Sequence, residues 1–321
     1  MSESSAIRVC EMGPRDGLQN EPEVVPLDAK VALVDALSEA GLPEIEVGSF
    51  VNPALVPRMA DTAEVFRRIR RRTGTVYAAL VPNQRGAEAA LSAKAGKLSV
   101  FASASESFSR RNTNASIAET LDRFTPVFEL ARAEGLPIRA YLSCAFGCPD
   151  EGEIAPAVVA RWGRELLDRG AGELDIADTI GVAVPVEVER VLEAVAAIGV
   201  EMSQLAMHFH DTRGTAIANA WTAIRRGVPA LDSSCGGLGG CPFAPGASGN
   251  LATEDLLYLC ERSRIATGVD AAGVASASRG LASCLGRGLP SRVLAATCAP
   301  VLDAPTRGSS QHHSDRGGAN S

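Results

Sequence analysis

His208 and His210 flank Phe209 in the run Leu205-Ala206-Met207-His208-Phe209-His210-Asp211-Thr212, and they are two of the four histidines in the chain. In an extended strand, residues two apart point to the same face, so the two imidazoles project together while Phe209 points away. Two neutral imidazoles converging from one strand make half of a metal site. Leu205, Met207 and Phe209 give the same strand an apolar side. So short a motif decides nothing alone, and its weight comes from what surrounds it. The other two histidines, His312 and His313, sit in a polar stretch of Gly, Ser and Asn at 305–321. That stretch has little to bury and is expected to be disordered.

Other residues able to do chemistry fall into a matching arrangement. Arg15 and Asp16 follow an apolar run at 7–12, Glu46 lies within 44–49, and Asp178 closes 173–178. Cys241 and Asn250 come after a run at 230–234, in or beyond the glycine-rich stretch Gly236-Gly237-Leu238-Gly239-Gly240. Asp16, His208, His210 and Asn250 can supply a carboxylate, two imidazoles and an amide oxygen. That mixed set suits Mg²⁺, Mn²⁺ or another divalent ion with positions left open for substrate oxygens. Zinc more often recruits thiolate and closes its shell. Arg15 is a fitting electrophile for a carbonyl that becomes an enolate, because its charge is fixed and its donors are planar.

The elements that must position these groups are legible as alternation. Candidate strands at 7–12, 44–49, 76–81, 97–103, 137–144, 173–178, 205–210 and 230–234 are separated by amphipathic stretches. Those stretches lie at 28–40, 62–72, 86–95, 117–134, 156–169, 185–198 and 215–226, and most end at a glycine, the usual helix stop. Eight strands alternating with helices predict a parallel sheet, closed as an α/β (β/α)8 TIM barrel. Gly13-Pro14-Arg15-Asp16-Gly17 is neither a dinucleotide fingerprint nor a phosphate loop, which disfavours an open doubly wound sheet. Helices are further expected near 253–264 and over 270–296, the latter exceeding the minimal barrel. The expected organisation is one barrel domain with C-terminal helices over 1–304 and a tail over 305–321. All the chemical residues fall at or beyond strand carboxyl ends, where such barrels build active sites.

Composition narrows the classes. The 321 residues are 46% hydrophobic and 21% charged, with a net charge of −7, which argues against a general nucleic-acid binder but leaves an anionic small substrate possible. No apolar run has the length of a membrane span and the first residues lack a signal-peptide core, so a cytoplasmic protein is expected. The eight cysteines are scattered through apolar segments, as reduced and mostly buried thiols would be. Cys241 differs by lying in the glycine-rich loop.

The motifs resemble those of the 3-hydroxy-3-methylglutaryl-CoA (HMG-CoA) lyase family. The resemblance is carried by Glu11-Met12-Gly13-Pro14-Arg15-Asp16-Gly17-Leu18-Gln19-Asn20-Glu21 and by Gly237-Leu238-Gly239-Gly240-Cys241-Pro242-Phe243. It continues in Gly246-Ala247-Ser248-Gly249-Asn250-Leu251-Ala252-Thr253-Glu254-Asp255, Ser143-Cys144-Ala145-Phe146-Gly147-Cys148-Pro149, Asp178-Thr179-Ile180-Gly181-Val182 and the HxHDT run. It spans about residues 7–298. Departures are Phe209, Arg213 and the Asp175–Ala177 pair of positions, where an extra carboxylate is expected to perturb the pocket. The chain also continues past Cys298, where some relatives stop close to a regulatory cysteine.

The resemblance implies a metal-dependent retro-Claisen cleavage of HMG-CoA to acetyl-CoA and acetoacetate, in leucine catabolism and ketone-body chemistry. In that scheme His208 or a nearby carboxylate removes the 3-hydroxyl proton. Arg15 stabilises the thioester enolate, and Cys241 protonates the acetyl-CoA carbanion. Glu46 and Asp178 position Arg15 or the substrate. The implied partner is a small acyl-CoA substrate, with no nucleic acid and no membrane, and a homodimer is compatible. The rivals are a lyase for a bulkier 3-hydroxyglutaryl-CoA such as the isohexenyl homologue, a condensing synthase of the same metal-dependent group, and a non-enzymatic binding module. Cys241 and its GASGN sequel disfavour the synthase.

Overall fold

Short runs with apolar residues at every second position become strands because a pleated backbone sends alternate side chains to opposite faces. In the computed structural model, which describes residues 6–240 and 249–298, eight such strands form. They are Arg8–Glu11 (β1), Glu44–Ser49 (β2), Val76–Leu80 (β3), Lys97–Ser103 (β4), Ile138–Ser143 (β5), Glu173–Asp178 (β6), Leu205–Phe209 (β7) and Ala230–Ser233 (β8). Each pairs in parallel with its neighbours in sequence, and β1 closes the barrel on β8 in the register Arg8↔Ala230 to Glu11↔Ser233. The expected (β/α)8 barrel is the observed fold.

The helices are Leu27–Glu39 (α1), Thr62–Arg68 (α2), Gln84–Ser92 (α3), Glu106–Thr113 (α4), Ile117–Arg123 (α5), Thr125–Ala133 (α6), Pro156–Asp168 (α7), Pro185–Ala197 (α8) and Ala216–Arg225 (α9). Thr253–Arg262 (α10), Ala271–Leu285 (α11) and Arg292–Cys298 (α12) follow the last strand, and α11 packs on α1. Three details differ from the sequence reading. The helix expected over 117–134 is two helices, broken at Phe124, with Pro126 in the first turn of the second. The segment expected over 270–296 ends its first helix at Gly286, whose φ of +64° makes the left-handed cap, and restarts after Pro290. Helix α4 was not anticipated; Ser105 caps it by accepting from the Phe108 N–H at 3.1 Å. A small hairpin, Gly147–Cys148 with Gly152–Glu153, also interrupts the β5-to-α7 connection.

Period two sorts the strand residues into two packing sets. Val9, Ile45, Val47, Leu98, Val100, Leu142, Leu174, Ile176, Leu205, Met207, Phe209 and Leu231 belong to the large core shared with the helices. Cys10, Met12, Leu80, Tyr141, Ala206 and Ala230 form a separate cluster within the barrel, with Phe101 against it. At the amino ends of the strands the interior is ionic. Lys97 Nζ lies 2.9 Å from Glu44 Oε1 and 2.6 Å from Glu173 Oε2, and Arg8 reaches both carboxylates at 2.6 Å. Arg139, 0% exposed, donates to Glu173 at 2.8 Å and to Asp232 at 2.6 Å. Burying charge is tolerable there because each one is paired and hydrogen-bonded.

Candidate active site

Past Glu11 the chain makes one wide helical turn over Gly13–Gly17, which carries Arg15 and Asp16 to the carboxyl end of the barrel. Glu11 anchors that turn: Oε1 accepts from the N–H groups of Gly13 and Cys235 at 2.7 and 2.8 Å, and Oε2 accepts from the Thr253 hydroxyl at 2.7 Å. Arg15 is held on three sides. Its Nε donates to the buried carboxylate of Glu46, its Nη1 donates to Asp16 Oδ1 at 2.6 Å, and its guanidinium stands 5.6 Å above the Tyr141 ring. The Tyr141 hydroxyl donates to the second Glu46 oxygen at 3.3 Å. A planar cation so tethered keeps its orientation without water to hold it.

Asp16, His208 and His210 each offer a ligand atom, and these atoms all lie within 4.8 Å of one another. His210 Nε2 is 3.9 Å from Asp16 Oδ2, and the two imidazole centroids are 5.1 Å apart. Asn250 completes the group from the segment after β8, where its backbone bridges His210. Its amide N–H₂ donates to Asp16 Oδ2 at 2.9 Å and to the Leu238 carbonyl at 3.0 Å. Its Oδ1 is buried with no hydrogen-bond partner among the described residues, as is His210 Nδ1. A buried acceptor left without a donor is costly, and a cation is what such an acceptor lacks. The donor set therefore fits a divalent ion.

The electrostatics of Asp16 and His210 point the same way, while those of His208 favour its protonated form until an ion takes the proton's place. Burial works against ionising Asp16, but the charges of Arg15, His208 and His210 and the Asn250 hydrogen bond outweigh it and hold the carboxyl at about 2. Burial and the charge of His208 push His210 down to about 4, so it stays a neutral donor. Burial alone would lower His208 as well; the hydrogen bond and charge of Asp232 reverse this and push it up to about 9.

These groups open onto a cavity of about 740 Å³. Arg15, Asp16, His208 and His210 stand on its polar side, while Leu80, Phe101, Phe108, Phe124 and Tyr141 give it an apolar side. Ser143, Ala177 and Thr179 line it from β5, from β6 and from the residue after β6. Phe209 points away, into the helix-facing core, with Phe146 6.4 Å distant.

The structure does not bring every expected residue together. Glu46 touches Arg15, but Asp178 touches neither Arg15 nor the cavity wall. Its two oxygens accept the N–H groups of Val182 and Ala183 at 3.0 and 2.9 Å, so it shapes the β6-to-α8 loop. Burial pushes its carboxyl up to about 6 although those two donors pull it down. Asp175 does not reach the cavity; it is fully buried, with Oδ2 3.5 Å from Arg139. Arg213 donates to the carbonyls of Ile180 and Gly181 at 3.1 and 2.9 Å, bracing the same loop as Asp178. Cys241 and the 305–321 tail lie outside the described residues. Tyr141, Asp232 and Arg139 were missed by the sequence reading. A single polar or aromatic residue inside a strand carries no spacing signal of its own, so only the closed barrel shows what each one meets.

Residues 6–280 match the family model described as HMGL-like. The chain is 49% identical over 293 residues to a Pseudomonas aeruginosa protein named 3-hydroxy-3-isohexenylglutaryl-CoA/hydroxy-methylglutaryl-CoA lyase, covering 91% of this chain and 97% of that one. It is 47% identical over 292 residues to the mitochondrial hydroxymethylglutaryl-CoA lyase of Bos taurus, covering 91% and 90% of the two chains. Among solved structures, hydroxymethylglutaryl-CoA lyase from Pseudomonas aeruginosa superposes with a TM-score of 0.90 at 48% identity, covering 92% of this chain and 99% of that one. An HMG-CoA lyase from Acinetobacter baumannii, solved in complex with coenzyme A and 3-methylmalate, gives a TM-score of 0.88 at 38% identity and covers 95% and 98%.

Proposed function

The chain belongs to the HMGL-like family and is a carbon–carbon lyase that cleaves HMG-CoA to acetyl-CoA and acetoacetate; we propose that Asp16, His208, His210 and Asn250 hold the divalent ion this cleavage needs. The convergence of three ligand atoms within 4.8 Å beside the clamped Arg15 carries that reading. Mg²⁺ or Mn²⁺ is the ion that the mixed nitrogen and oxygen set favours. When bound, it supplies Lewis acidity toward the substrate's oxygen groups and makes the 3-hydroxyl easier to deprotonate.

The chain's own residues do the rest. Arg15 presents fixed donors to the thioester oxygen, where negative charge grows as the C2–C3 bond breaks. Glu46 and Tyr141 keep that guanidinium in place. The 3-hydroxyl proton passes to His208 or to a carboxylate beside it. Cys241 is assigned the return of a proton to C2 of the acetyl product. Asp178 acts through the loop it holds. The apolar side of the cavity receives the C3 substituent. We place the reaction in leucine breakdown and in the cytoplasm, a reducing compartment that suits the six described cysteines, all free thiols. No helix among the described residues is long and apolar enough to cross a membrane.

A wider substrate range is the second reading. It is favoured by the aromatic and aliphatic wall of Leu80, Phe101, Phe108 and Phe124, and by the relative whose name covers both methyl and isohexenyl substrates. One assay tests both. The purified protein with Mg²⁺ or Mn²⁺ is expected to release acetyl-CoA from HMG-CoA, to lose that activity to EDTA and to regain it with either ion. Activity that survives thorough chelation overturns the metal assignment. Turnover of the isohexenyl thioester at a comparable kcat/KM supports the wider range, and its absence confines the enzyme to the methyl substrate.

A further inference from the structure

The two histidines of the ion site are built differently. His210 Nδ1 has no hydrogen-bond partner among the described residues. His208 Nδ1 faces Asp232 Oδ2 at 3.2 Å, in the barrel interior one strand away. The pairing Ala230↔Ala206 and Leu231↔Met207 sets Asp232 beside His208, and period two turns both side chains inward. Asp232 is 1% exposed, and its other oxygen, Oδ1, accepts from Arg139 Nη1 at 2.6 Å. Arg139 is itself locked by Glu173 at 2.8 Å and by Cys10 Sγ at 3.0 Å. The carboxylate therefore sits between a fixed cation and one imidazole nitrogen.

We propose that Asp232, held by Arg139, is a positioning residue that fixes His208 as the Nδ1–H tautomer and leaves its Nε2 lone pair for the ion. An ionised carboxylate can only accept, so the nitrogen facing it must donate. Nε2 is then the nitrogen whose proton the ion displaces, and His208 lies on the cavity wall where the ion would sit. An ion ligand whose second nitrogen is committed to a carboxylate holds its ring angle and is a better donor. His208 Nε2, once ligating, cannot also take the 3-hydroxyl proton. The proposal rests on the reading that His208 ligates a divalent ion.

Asp232→Asn tests it sharply because Arg139 fixes which end of the amide points where. Arg139 would keep the amide oxygen, turning the N–H₂ toward His208 Nδ1. The imidazole must then accept at Nδ1 and carry its proton on Nε2, the nitrogen the ion needs. Titration of metal-free Asp232→Asn with Mn²⁺ is expected to show affinity reduced about 10- to 100-fold, with activity recovering at raised Mn²⁺. His208→Ala should lose affinity as well. If His208→Ala binds Mn²⁺ like wild type, the ion-ligand reading fails. If His208→Ala loses affinity and Asp232→Asn does not, the positioning role fails while the ligand reading stands. A measurement on the unaltered holoenzyme covers the case in which Asp232→Asn does not fold. In ¹⁵N-histidine spectra of the Mg²⁺-loaded protein, His208 should carry its proton on Nδ1, and a bare Nδ1 there overturns the proposal.

Discussion

Arg15 shows how a side chain is prepared for charge that does not yet exist. It is already paired with Glu46 and Asp16, so its orientation is fixed before any substrate arrives. Charge on the thioester oxygen develops only on the way to products, so the stabilisation Arg15 offers is specific to the transition state. Arg15→Gln should lower kcat far more than it raises KM, by roughly the 2.7–4 kcal/mol that losing one such donor costs. Steady-state kinetics check this, and turnover within a few-fold of wild type would leave Arg15 as a structural ion pair. At this scale the sequence was informative because ligand chemistry restricts residue type. The HxH spacing, the neighbouring Arg15-Asp16 pair and Asn250 could be named from type and strand position. Asp232 and Arg139 could not, because a lone Asp or Arg in a strand has no spacing signature. Only the closure of the barrel puts residues from β5 and β8, 93 positions apart, at 2.6 Å.

At the scale of elements, strands were legible and loops were not. Three of the eight strands, 44–49, 97–103 and 173–178, begin and end where the apolar alternation does, and the expected 76–81, 205–210 and 230–234 each run one residue too long. Helix α4 escaped because ESFSRRNT has no apolar stripe and forms on a serine cap between longer elements. Loop roles depend on contacts that spacing does not encode, and so Asp178 reads in sequence as a residue that positions Arg15 or the substrate while its oxygens serve the backbone of Val182 and Ala183. The loop after β8 carries a backbone requirement of the same kind. Gly239 has φ of +126°, and a Cβ there would lie 2.6 Å from the Asn250 amide nitrogen. Gly239→Ala must therefore strain the backbone and displace Asn250. It should weaken Mn²⁺ binding by about tenfold, as the loss of groups that support a ligand does, while the circular dichroism of the barrel stays unchanged. Unchanged affinity in a direct Mn²⁺ titration would show that Asn250 is not a ligand.

The whole molecule depends on closing β1 against β8, and one carboxylate does much of that work. Glu11 joins the Gly13 turn, the Cys235 N–H past β8 and Thr253 at the start of α10. It is 0% exposed, and burial pushes its carboxyl up to about 7 even though three donors favour the ionised form. The sign follows from linkage. In the folded protein Glu11 holds its proton up to about pH 7, whereas in the unfolded chain it releases it near the ordinary 4.5. Between those values the folded state binds more protons, so stability falls as pH rises through that window and is level above it. The contribution is on the order of 3 kcal/mol, from 1.36 kcal/mol for each pKa unit. Glu11→Gln removes the titration. Its amide oxygen can still accept from the two backbone N–H groups, and the Thr253 hydroxyl can turn to accept from the amide. Urea unfolding at pH 5 and pH 8 should therefore show wild type losing stability relative to Glu11→Gln at the higher pH. Parallel pH profiles would mean that the three donors keep Glu11 ionised throughout, and that the barrel closes on a carboxylate rather than on an acid.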